Sequence, residues 1–287
     1  MFNKVYLIGV GLINGSLARD LKSLGLARVV AGIGRDRQRL EGARSLGVID
    51  EYSLLQDADV SDADAIVIGV PVARTADSLA AIQSSLSADT LLTDVGSTKC
   101  SVIQAAREVF GEVPSRFVPG HPVAGSEQSG YEHAQESLFR GRKVILTPVE
   151  NTDAQALQDI RQMWQATGAS VDEMSAQAHD MILSATSHLP HMVAYALVHY
   201  LGGRPDADHV FDYAAAGFYD FTRIASSSPD MWTDICMANR DELLRSLDGF
   251  AGLLQELRAM ISQGDEQALH TILGQAKHLR DNHPVQK

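Results

Sequence analysis

Apolar residues follow two rhythms along this chain. Up to about residue 174, short unbroken apolar runs alternate with stretches of helical spacing; beyond it only helical spacing remains. Residues 5–8 (VYLI) run into Gly9, Val10 and Gly11, and apolar residues then recur at helical intervals to Ser23, which predicts strand, tight turn and helix. A second run at 29–33 (VVAGI) and a helix over 36–46 complete a βαβ unit. Runs at 65–70 (AIVIGV), 91–95 (LLTDV), 116–118 and 144–147 predict further strands of a parallel sheet buried on both faces. Most end in turns built from Gly, Pro or Ser, and ligands bind at such carboxyl ends in open α/β sheets. A helix over 153–166 and a short strand over 170–174 close this part. From 175 to 283 the pattern predicts helices broken at Gly202 and Gly203, at Pro205 and around 226–229. Residues 242–261 carry Leu243, Leu244, Leu247, Phe250, Leu254, Leu257 and Ile261 on a wide face that suits a partner subunit as well as a core. The expected fold is therefore α/β: an N-terminal Rossmann-type parallel-sheet domain over 1–174, followed by an all-helical domain over 175–287.

The glycine turn gives the first part its chemistry. Gly9 makes the turn, and Gly11 lets the backbone approach a pyrophosphate seated on the helix N-terminus, where Leu12 and Ile13 supply the first amides. The third glycine of a GxGxxG pattern is replaced by Asn14, so close helix–strand packing is expected to rely on Gly15 or on a small shift of the turn. At the end of the second strand stand Gly34, Arg35 and Asp36. With Gly34 at the discriminating position, no carboxylate repels a 2′-phosphate and Arg35 binds it, which slightly favours NADP; with the register moved by two, Asp36 holds the ribose and NAD is preferred. Val70 and Pro71, ending the third strand, complete the candidate cofactor contacts.

The totals narrow the setting. A formal net charge of -12 repels nucleic acid and anionic membranes, so an anionic substrate has to be met by local arginines. Two cysteines, Cys100 and Cys236, make neither a disulfide framework nor a zinc pattern, which points to the cytoplasm. No apolar run reaches the ~20 residues of a membrane span. His188 and His191 share a helix face, but no third ligand follows at helical spacing, and no metal is expected.

Four separated stretches carry a family signature: DVGSTK (94–99), GHPVAGSEQSG (120–130), SHLPH (187–191) and FYDFTRIASSSPDMW (218–232). Together they resemble the prephenate and arogenate dehydrogenases of tyrosine biosynthesis, over nearly the whole chain and in order. The resemblance implies a homodimer joined through the helical domain, and NAD(P)-dependent oxidation of a ring C4 carbinol coupled to loss of the ring carboxylate. It implies that His121 accepts the hydroxyl proton and that Ser97 bonds the same hydroxyl; the residues alone equally allow Ser97 to cap a helix beginning near Thr98. It implies that Arg223 holds a substrate carboxylate, that His191 joins Glu127 and Asp220 in a polar network gating the pocket, and that Ser126 and Trp232 line it. The second histidine of SHLPH leans towards prephenate, and no additional mutase or regulatory region is expected. The competing expectations are a β-hydroxyacid or imine-type reductase and a non-catalytic NADP-binding sensor.

Overall fold

The computed structural model describes residues 1–125 and 127–283. Six parallel strands form the main sheet: β1 (Phe2–Ile8), β2 (Ala27–Gly34), β3 (Glu51–Leu54), β4 (Ala65–Ile68), β5 (Leu91–Asp94) and β6 (Phe117–Val118). Their spatial order is β3-β2-β1-β4-β5-β6, the doubly wound arrangement whose order reverses between β1 and β4. The connecting helices are α1 (Leu12–Ser23), α2 (Arg37–Ser45), α3 (Thr75–Ile82) and α4 (Cys100–Phe110).

Side chains alternate across the sheet, and both faces are apolar. Val5, Leu7 and Val67 point into one cluster with Leu17 and Leu21 of α1. Tyr6, Ile8, Ile66 and Ile68 point into the other with Leu79, Ile82, Val102 and Ile103. This double burial is why these strands read as continuous apolar runs. β3 escapes the apolar pattern because it is a partly exposed edge strand with only one neighbour.

The expectation of one sheet is corrected by a second. Gly120–Val123 is not a turn but a strand, β7, antiparallel to β8 (Lys143–Leu146), which in turn runs parallel to β9 (Ser170–Glu173). Pro122 fits because β7 is an edge strand with a single partner. α5 (Ala154–Ala166) packs Trp164 edge-on against Phe139 at 5.1 Å beneath this small sheet.

Everything from Ala176 to Asn282 is helical or turn: α6 (Ala176–Leu183), α7 (Leu189–Gly202), α8 (Ala207–Asp212), α9 (Ala216–Thr222), α10 (Pro229–Ala238), α11 (Arg240–Gln263) and α12 (Glu266–Asn282). A π-helical turn, Ser184–His188, joins α6 to α7 into one rod. That 27-residue rod is, by length and composition, apolar enough to cross a membrane, which the apolar runs alone do not convey. Its buried residues include His179, Asp180 and His188, all polar and turned towards the α/β half or α10 and α11.

Candidate active site

A cleft lies at the switch point between β1 and β4. It encloses about 560 Å³ and is lined by Gly9, Gly11, Gly34, Arg35, Asp36, Val70 and Pro71 among others; Leu12 and Ile13 stand outside the lining. Gly9 has φ +83, and a Cβ there would lie 2.8 Å from the Gly69 carbonyl oxygen, so only glycine makes this turn. A Cβ on Gly11 would meet no atom within 4 Å. Gly11 therefore leaves free the space in front of the α1 N-terminus, where no side chain caps the first amides. The cradle fits a dinucleotide pyrophosphate.

Close packing behind the turn is not rescued by Gly15 or a shift. Asn14 itself does it: its amide donates to the carbonyls of Ile8 (3.3 Å), Gly9 (3.0 Å) and Val67 (3.2 Å), tying α1 to both β1 and β4. The room comes from Gly69, where a Cβ would lie 2.4 Å from the Asn14 nitrogen. Gly15 instead faces Ala134.

Gly34 is the last residue of β2. Asp36 caps α2, its Oδ1 accepting from the Gln38 (2.9 Å) and Arg39 (3.2 Å) amides. Arg35 and Arg39 border the same end of the cleft.

Further along the sheet edge, a buried ion pair organises the catalytic side. Lys99, fully buried, binds Asp94 at the end of β5 and donates to the Gly120 carbonyl at 2.6 Å. Asp94 also accepts from the Gly96 (2.8 Å) and Gly120 (3.1 Å) amides. The pair thereby locks the turn that carries Ser97 to the residue before His121, with each charge hydrogen-bonded as a buried charge requires. Ser97 is half-buried in that turn, but it does not cap α4, which starts three residues later at Cys100. The cap comes from a distance: Asp180 of α6 accepts from the Lys99 (2.8 Å) and Cys100 (2.9 Å) amides.

His121, on β7, is half-buried, with Nδ1 2.8 Å from Nε2 of His179. His179 Nδ1 is in turn 2.7 Å from Asp180 Oδ1. Burial, then the neighbouring His179 and the Lys99 charge, hold the His121 pKa well below the ordinary imidazole value, so its ring is neutral near pH 7. Burial raises the Asp180 carboxyl, but the bonds from His179 and the two amides outweigh it and keep it ionised. His179 and Asp180 were missed in the sequence because they lie inside a predicted helix between the two motif stretches. A His-Asp pair in the middle of an apolar helix was the available signal.

The helical half supplies the opposite wall. Trp232 of α10 is buried, and His191 of α7 stacks on it with ring centroids 3.6 Å apart. His191 Nδ1 donates to the Ser187 carbonyl at 2.8 Å. Burial lowers its pKa, the Arg223 charge adds to this, and the carbonyl opposes it, leaving a neutral ring with Nε2 as acceptor. Arg223, just past α9, reaches across to Glu127 in the loop after β7 at 2.7 Å. Glu127 pairs with Arg223, and Asp220 is exposed on α9. Glu127 stands within reach of the far end of α9, where Arg223 follows. Ser126 lies outside the described residues.

A model of the prephenate dehydrogenase nucleotide-binding domain matches residues 17–173, and one of the prephenate dehydrogenase dimerization domain matches 175–275. The chain belongs to the prephenate dehydrogenase family. Within that family it is 38% identical to prephenate dehydrogenase of Bacillus subtilis, over 100% of this chain and 78% of the relative. It is 36% identical to cyclohexadienyl dehydrogenase of Zymomonas mobilis, over 92% and 90%. Its structure superposes on that of prephenate dehydrogenase from A. aeolicus, solved with hydroxyphenyl propionate and NAD+, with a TM-score of 0.90 at 34% identity, covering 98% of both chains. As in the family descriptions, a nucleotide-binding unit precedes a dimerization unit.

Proposed function

We propose that this chain is an NAD(P)-dependent dehydrogenase of tyrosine biosynthesis that oxidatively decarboxylates prephenate, arogenate or both, in the cytoplasm and as a homodimer. The observation that carries the reading is His121: a neutral imidazole on β7, whose neighbour Gly120 is tied to Asp94 at the carboxyl end of β5 in the sheet that carries the glycine cradle. A dinucleotide whose pyrophosphate sits in that cradle would supply the nicotinamide as hydride acceptor. His121 Nε2 takes the proton of the C4 hydroxyl as that oxygen becomes carbonyl-like, which is general-base work suited to a neutral imidazole. Ser97 bonds the same hydroxyl.

Arg223 orients the substrate through its spectator carboxylate, since a tight pair with the departing carboxylate would stabilise the ground state more than the transition state. Glu127 occupies that guanidinium in the absence of substrate and yields it to the incoming carboxylate. The Asp36 cap and the arginines beside it favour NADP over NAD. A reductase using a lysine acid is disfavoured because Lys99 is committed to Asp94. The exposed apolar faces of α11 and α12 supply the dimer surface.

Initial rates of reduced-nicotinamide formation, with prephenate and arogenate each paired with NAD and NADP, test the reading. Wild type is expected to be active in at least one pairing, and His121→Asn to lose about 100-fold or more in kcat. Wild type that binds nucleotide yet is silent in all four pairings would sink it.

A further inference from the structure

The reaction proposed above sets an unusual proton demand. A dianion and an oxidised nicotinamide become a monoanionic phenol, carbon dioxide and a reduced nicotinamide, so no net proton is released. The C4 hydroxyl proton must be taken up as the C4 hydrogen leaves as hydride, and returned as the carboxylate's bonding electrons flow into the ring. His121 must hold that proton briefly without losing it to water.

We propose that His179 and Asp180 are positioning residues for this step, forming a buried Asp180–His179–His121 chain that fixes His121 with its proton on Nδ1 and its lone pair on Nε2, and steadies the imidazolium while the proton resides there. The donor count carries this. An ionised Asp180 donates nothing, and its Oδ1 already accepts the Lys99 amide, so the 2.7 Å contact needs the proton on His179 Nδ1. His179 Nε2 is then a lone pair, and the 2.8 Å contact needs His121 Nδ1 as donor. That leaves His121 Nε2 bare for the substrate. A second proton on His179 would reverse the last bond, turn His121 Nε2 into a donor, and bury another cation near Lys99.

The two inner members of the chain are isolated from solvent: His179 is 0% and Asp180 2% exposed. The groups facing it are Lys99, just before α4, and His188 in the π turn, while Asn239, between α10 and α11, donates to the Asp180 carbonyl at 2.8 Å. Nothing in it needs to carry the proton away. Its service is to fix a tautomer and to offer Nδ1–H an acceptor that strengthens as His121 becomes charged. The two halves of the molecule meet at this chain, since Asp180 simultaneously caps α4.

The proposal rests on the dehydrogenase reading, and two readouts keep their failures apart. In the full-length protein labelled with ¹⁵N-histidine, with oxidised nucleotide bound, NMR is expected to show His121 protonated at Nδ1 and bare at Nε2, the signals being identified by their loss in His121→Asn. A wild-type His121 protonated at Nε2 would overturn the proposal whatever the enzyme turns over. In kinetics, His179→Leu removes the acceptor and is expected to lower kcat about 100-fold with KM within about twofold and nucleotide affinity unchanged. His179→Gln, whose amide oxygen can still accept from Nδ1–H, is expected to recover activity to within about tenfold of wild type. A His179→Leu enzyme with kcat near wild type, or a His179→Gln enzyme no better than His179→Leu, would overturn it. Should His179→Leu fail to fold, the NMR tautomer and the His179→Gln rates decide.

Discussion

The α/β half and the helical half solve the burial problem differently. In the first, both sheet faces are covered, and Leu7, Leu17, Ile33, Ile66 and Trp164 are essentially inaccessible. In the second, α11 buries only Leu243 and α12 buries no residue among those described, while Leu254, Ile261, Leu273 and Leu279 are 50–66% exposed. A monomer rarely leaves so much contiguous aliphatic surface in water. One half completes its core within the chain; the other reserves much of its apolar surface for a second copy.

This contrast can be broken from either side. The largest effect is expected in the helical half. Leu254→Glu combined with Ile261→Glu removes four apolar side chains from the dimer, about 1.5 kcal/mol each or roughly 6 kcal/mol together, which is about four orders of magnitude in Kd. Sedimentation should then show a monomer whose far-ultraviolet spectrum still reports a folded α/β half; an unchanged dimer would mean that these faces pack elsewhere.

Trp164→Ala in the α/β half should cost about 3–5 kcal/mol in denaturant unfolding while leaving the dimer affinity unaltered, because its cavity forms inside a core closed within the chain.

The seam between the halves gives a smaller, pH-dependent effect. Burial, with added repulsion from His179 and His191 and opposition from Asp180, lowers the His188 pKa to about 4. The unfolded chain protonates this ring near the ordinary 6.5, so stability is full above that pH and declines as pH falls towards 4. The total loss is about 3 kcal/mol, with no further loss from this group below. Unfolding free energies measured across this window should lose that slope in His188→Gln.

The sequence made legible what depends on local spacing. Residues 5–23 read as strand, turn and helix because apolar rhythm and glycine position are both local. His121, Arg223 and Trp232 could be picked out because they sit in recognisable stretches. What escaped depends on contacts between distant segments. GHPV pairs as a strand only because residues 143–146 lie beside it, and Asp180 caps a helix 80 residues away. Lys99 stood in a stretch singled out for Ser97, yet its burial beside Asp94 follows from the packing of β5 against β7. Glu127 found Arg223 for the same reason: the partner is chosen by the fold, not by the motif.

The Asn14–Gly69 contact ties two positions together. Removing the Asn14 amide alone takes its bonds from the Ile8, Gly9 and Val67 carbonyls, and any side chain at position 69 alone collides with that amide. Exchanging either residue alone therefore costs hydrogen bonds on one side or a steric clash on the other. The missing third glycine of the turn is not a lost feature but half of an interlocked pair, held together across 54 residues of intervening chain.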